Sequence, residues 1–204
     1  MRPLFALALL ALALLGGCAA LTPQQADHDH NADPMTAGTR IDPPTPLTDF
    51  SLPSSAGAPI GLADLRGKPS LIFFGFTNCP DVCPLTMADF KQAKEALGAD
   101  GERVNYVLIS VDPERDTPEA LARYVAQFDP AFVGLQGDEA TLRRIGRDYG
   151  LYSQRQPPAA DGSYSVDHSS AIYLADAEGR LRVVYSYGTP PDVYTADVRA
   201  LLAE

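Results

Sequence analysis

Two apolar runs constrain this chain most. Residues 70–76 read SLIFFGF and residues 104–111 read VNYVLISV. Neither alternates polar with apolar, so neither has a face for water. Both are expected as central strands covered on both sides. Between them Leu85, Ala88, Phe90, Ala93 and Leu97 recur at helical spacing, opened by Pro84 and closed by Gly98.

The rest of the chain extends that pattern. Residues 49–52 and 60–62 form a short strand pair across the turn cluster 54–59, and 63–67 is a turn or short helix ending on glycine. Thr117-Pro118-Glu119 has the cap, proline and acidic first turn of a helix running to Phe128. Residues 132–135 are a strand, and Asp138 caps a helix stopped at Gly150. Residues 151–153 form a short extended piece, and 157–163 a loop. Residues 169–175 and 181–187 pair as a hairpin, and 191–202 form the last helix. This order gives an α/β fold, a central mixed sheet flanked by helices, with an N-terminal β-hairpin.

The first 20 residues follow a different grammar. Arg2 precedes a Leu/Ala run over 4–15, followed by small residues, as in a secretory signal. The run is too short to span a bilayer comfortably. The segment LGGC, residues 15–18, resembles a lipoprotein lipobox, in which Cys18 is lipidated and anchors the mature chain. Residues 1–17 are therefore expected as a signal peptide, 18–46 as a lipid-anchored flexible linker, and 47–204 as the folded domain. Within the linker, Asp27-His28-Asp29-His30 is taken as a solvated run. The chain should sit on the extracytoplasmic, periplasmic side of the bacterial envelope. Twenty-six acidic against 16 basic residues speak against nucleic-acid binding.

With Cys18 committed to the anchor, Cys79 and Cys83 remain for the domain. They follow the buried run 70–76 and precede a helix, at the carboxyl end of the sheet, where open α/β folds bind ligands. A first helical turn would put both sulfurs on one face beside unpaired N–H groups and favour thiolates. Two close thiolates require either oxidation to a disulfide or a bound cation. Sulfur selects soft metals such as Cu(I) and Zn(II). Structural zinc takes four protein ligands. Here the domain offers two cysteines and one histidine, His168, a three-donor set better suited to Cu(I).

The motifs FFGFTNCPDVCP (73–84), VDPERDTPE (111–119) and VDHS (166–169) together resemble the Sco/SenC/PrrC family of copper-binding, thioredoxin-like proteins. The likeness runs from about residue 47 to 203. It implies a thioredoxin-like fold with inserted elements. It also implies copper ligation, Cu(I) or Cu(II), one ion per domain, by Cys79, Cys83 and His168. The implied partners are cytochrome c oxidase subunit II or another copper oxidase, and other periplasmic copper carriers. Where thioredoxins place a proline beside a CxxC pair, this chain has CxxxC and Val166-Asp167-His168. Asp167 is a candidate to orient His168 by a second hydrogen bond. Asp112 and Asp116 are taken as turn and helix-cap residues.

The expected function is a copper metallochaperone assisting assembly of the dinuclear copper centre of cytochrome c oxidase, rather than an enzyme. The alternative is a thiol–disulfide oxidoreductase working through Cys79 and Cys83, which some family members are for the same client. A peroxidase of the thioredoxin superfamily is a third, weaker reading.

Overall fold

The computed structural model describes residues 38–204. The signal peptide, Cys18 and the His28/His30 run lie outside the described residues. In chain order the elements are β1 (Thr39–Pro46), β2 (Ser51–Leu52), β3 (Ile60–Gly61), α1 (Leu62–Leu65), β4 (Ser70–Gly75), α2 (Val82–Leu97), β5 (Asn105–Ser110), α3 (Pro118–Val125), β6 (Val133–Gln136), α4 (Glu139–Tyr149), β7 (Ser153–Arg155), β8 (Val166–His168), β9 (Ile172–Ala175), β10 (Arg180–Tyr185) and α5 (Pro191–Leu202).

The main sheet has the order β1-β10-β9-β4-β5-β6. β4, β5 and β6 are parallel, joined through α2 and α3, whereas β9, β10 and β1 run antiparallel to their neighbours. The two apolar runs occupy the centre. Every residue of β4 is buried, as are the last five of β5. The sheet is mixed and flanked by helices, the α/β, thioredoxin-like arrangement the element order calls for.

Local chemistry accounts for the helix ends that frame the site. The Thr117 side chain accepts from Ala120 N at 3.3 Å at the start of α3, and Asp138 accepts from Thr141 N at 2.9 Å at the start of α4. Gly150 ends α4 in the left-handed conformation at φ 61°, which glycine adopts without a Cβ penalty.

Two differences from expectation matter. Residues 39–46, expected within the flexible linker, form the edge strand β1 against β10, so the folded region starts before residue 47. Pro43, Pro44 and Pro46 hide this strand from a pattern search, since an edge strand tolerates prolines that a central one does not. Residues 166–168, expected only as the approach to the hairpin, form β8. It pairs with β7 as a separate two-stranded ribbon, with Ser153 opposite His168.

Candidate metal centre

Cys79 and Cys83 do not share a helical turn. α2 begins at Val82 with Asp81 as its N-cap, so Cys83 is its second residue and Cys79 lies in the preceding loop. The loop turns back on the end of β4, with Cys79 N donating to Phe76 O at 3.3 Å. Cys79 still lies close enough to Cys83 to push its thiol pKa upward. Both are free cysteines, Cys79 half-buried and Cys83 buried.

Burial governs the chemistry of Cys83. Desolvation pushes its thiol far above the usual range, and the neighbouring Cys79 and Asp116 push the same way. A backbone hydrogen bond with Phe76 opposes this without cancelling it. The expectation that the helix N-terminus makes this sulfur a thiolate is therefore not met. The dipole term, about 0.3–1 kcal/mol at exposed ends, is smaller than the cost of an unpaired charge in a dry pocket. A metal bound by this sulfur must displace its proton.

Gly75 makes room for that sulfur. A Cβ at this position would lie 2.9 Å from Cys83 Sγ and 2.6 Å from the Phe73 ring. Only a residue without a side chain lets the start of α2 close onto the end of β4.

His168 comes from β8 and reaches the same place. Its Nε2 is 3.8 Å from Cys83 Sγ, and its Nδ1 is 2.9 Å from Ser169 O. A carbonyl can only accept, so that contact puts the proton on Nδ1 and leaves the Nε2 lone pair directed at the sulfur. Phe73 and Phe76 meet the imidazole edge-on, with ring centroids at 6.0 and 5.7 Å. The ring is thus fixed in direction and partly shielded from water.

Asp167 does not orient His168. Neighbouring residues of a strand point to opposite faces, and Asp167 accepts from Gln156 Nε2 at 2.7 Å on the outer side of the ribbon. The backbone carbonyl of Ser169 has the role that the sequence reading assigned to Asp167.

Asp116 does more than end a turn. It is buried, and its carboxylate accepts from Thr77 N at 3.0 Å, Thr77 Oγ1 at 2.5 Å and Ser110 Oγ at 2.6 Å. It thereby ties the start of the cysteine loop to the end of β5. Asp112 accepts from Arg115 Nε at 2.5 Å and from the Tyr164 hydroxyl at 2.8 Å. Arg115 and Arg155 each stack on the Tyr164 ring, at 3.7 and 3.9 Å from its centroid. These contacts clasp the segment between β7 and β8 to the loop after β5. Paired charges inside VDPERDTPE were the available clue to both networks; their partners lie too far along the chain to be inferred from spacing.

Among the described residues no three His, Cys, Asp or Glu side chains are already gathered in metal-binding geometry. Cys83 and His168 stand together, and Cys79 adjoins Cys83 from a loop. Two sulfurs and one neutral imidazole nitrogen form a soft donor set, which fits Cu(I) in low coordination.

A family model described as SCO1/SenC matches residues 39–203. The chain belongs to the SCO1/SenC family. It is 40% identical over 157 residues to the mitochondrial protein SCO2 homolog of Bos taurus, covering 76% of this chain. The match spans 59% of that relative's length. Among solved structures it is similar to ScoI of Bradyrhizobium japonicum with copper bound. That likeness has a TM-score of 0.70 and 38% identity, covering 77% of this chain and 99% of the other. It is also similar to apo Sco1 of Thermus thermophilus, with a TM-score of 0.72 and 41% identity over 80% and 95% of the two chains. The start of the SCO1/SenC match at residue 39 coincides with the start of β1.

Proposed function

We propose that this SCO1/SenC protein is a copper metallochaperone of the bacterial envelope. In this reading it carries one copper ion on Cys79, Cys83 and His168 and assists assembly of the dinuclear copper centre of cytochrome c oxidase. The observation that carries the proposal is the 3.8 Å approach of His168 Nε2 to Cys83 Sγ, with the other ring nitrogen committed to Ser169 O. A lone pair held at a buried sulfur in this way is suited to sharing a soft cation. The copper-bound state of the Bradyrhizobium relative supports the choice of metal. Copper is cargo here: the chain binds it, shields it and gives it up.

The envelope location rests on the signal grammar and on Cys18 as the lipid anchor. Among the described residues no helix is long and apolar enough to cross a membrane.

The test is a Cu(I) titration of the reduced protein against a chromophoric chelator. One equivalent should bind, and His168→Ala should weaken binding by at least about tenfold, one step of roughly 1.4 kcal/mol. Copper retention unchanged in that variant would overturn the three-donor site.

One observation favours the disulfide-reductase reading beside it. Cys79 is half-exposed and Cys83 buried behind it, the order of an attacking and a resolving thiol. Reduction of a target disulfide that survives His168→Ala while copper binding falls would show the pair working without the histidine.

A further inference from the structure

A cleft that the proposed function does not use is lined in part by Val166 of β8, the strand that carries His168. The cleft has a volume of about 660 Å³ and runs between α4, β7 and the loop after β5. Its floor is apolar, formed by Val111, Leu142, Leu151 and Val166. Its walls carry three arginines, Arg143, Arg147 and Arg155, all exposed. Arg143 pairs with Glu139 and Arg155 with Glu114, both exposed contacts of the kind that exchange readily. Arg147 has no ion-pair partner among the described residues. Asp112, Glu114 and Glu139 line the same cleft, each paired with an arginine (Arg115, Arg155 and Arg143), so Arg147 is the lining charge left over.

β7 supplies one wall, and its outer edge is open. Ser169 N donates to Tyr152 O at 2.9 Å, and Gln156 N donates to Ser165 O at 2.9 Å. In an antiparallel pair the bonded residues alternate. Tyr152, Gln154 and Gln156 therefore face β8, and the backbone groups of Ser153 and Arg155 face outward. Among the described residues β7 has no strand partner other than β8. Ser153 is also the register partner of His168, so a segment laid along β7 would lie one strand away from the histidine. The half-exposed Tyr152 extends the apolar surface at the same end.

We propose that this cleft receives an extended acidic segment of the protein that exchanges metal with the centre. The segment adds as a strand to the outer edge of β7. Its alternate side chains enter the apolar floor, and a carboxylate of the segment meets Arg147. The exchange role rests on the chaperone reading; the docking itself does not.

The probe is a decapeptide of alternating valine and glutamate, with a valine–lysine peptide as control. Both are titrated into the reduced, copper-free, isotope-labelled protein and followed by amide NMR. The acidic peptide is expected to shift the Ser153 and Arg155 amides, and the basic peptide is not. Arg147→Glu, at an exposed position, should weaken acidic-peptide binding by about fivefold or more, as should raising the salt to a level that screens exposed charges. Copper stoichiometry in Arg147→Glu should stay unchanged, so failure of the chaperone reading shows in a separate measurement. Equal binding of both peptides, absence of binding by the acidic one, or shifts confined elsewhere would overturn the proposal. So would self-association of the free protein through β7 that Arg147→Glu abolishes, since the cleft would then serve a second copy of the chain.

Discussion

At the scale of single residues, Gly75 and Cys83 form one packing unit. The sulfur occupies space that any Cβ at residue 75 would invade. Gly75→Ala is expected to destabilise the fold by about 1–3 kcal/mol, the usual range for overpacking a filled core. Chemical denaturation should show a lower midpoint at unchanged slope. The same variant should bind copper more weakly, because relief of the clash moves Cys83 away from His168. Stability and copper affinity that both match the parent would refute this account. Cys79, Cys83 and His168 could be picked out as candidates from the sequence because donor atoms of the right softness are few in this chain. Gly75 was not, because its role depends on which atom approaches it across the fold.

At the scale of elements, the cysteine loop is held by a carboxylate 39 positions further along the chain. Asp116 gathers Thr77 from the loop and Ser110 from the end of β5. Asp116→Ala would strand these donors in a buried site, at about 1–3 kcal/mol for each group left without a partner. The melting temperature should fall, and the Thr77 amide should exchange hydrogen faster than in the parent. An unchanged Thr77 exchange rate would show that the loop is held by other contacts. Unbroken apolar runs exposed β4 and β5 in the sequence, and helical spacing exposed α2, as each buries one recognisable set of side chains. β8 was not legible as a strand: three residues on a small ribbon carry too little pattern. The direction of Asp167 was misjudged for the same reason, since face assignment needs the register.

At the scale of the whole molecule, the sheet begins with β1. A chain trimmed to start at residue 47 would lose that strand and leave β10 as an unpaired edge. Unpaired edges recruit other chains. The trimmed protein is expected to melt lower and to associate, as measured by light scattering after gel filtration. A chain starting at residue 38 should remain monodisperse by the same measure. Equal behaviour of the two would mean that β1 contributes nothing to the fold.

The clasp around Tyr164 has a consequence for this architecture. The cysteines stand on the junction of β4 and α2, whereas the histidine stands on a ribbon attached through side-chain stacking on Tyr164 and its hydrogen bond to Asp112. A cargo held by both would bridge a seam between two separate supports. Such a bridge can open on one side while the other keeps hold, and a carrier built this way can loosen its load in stages.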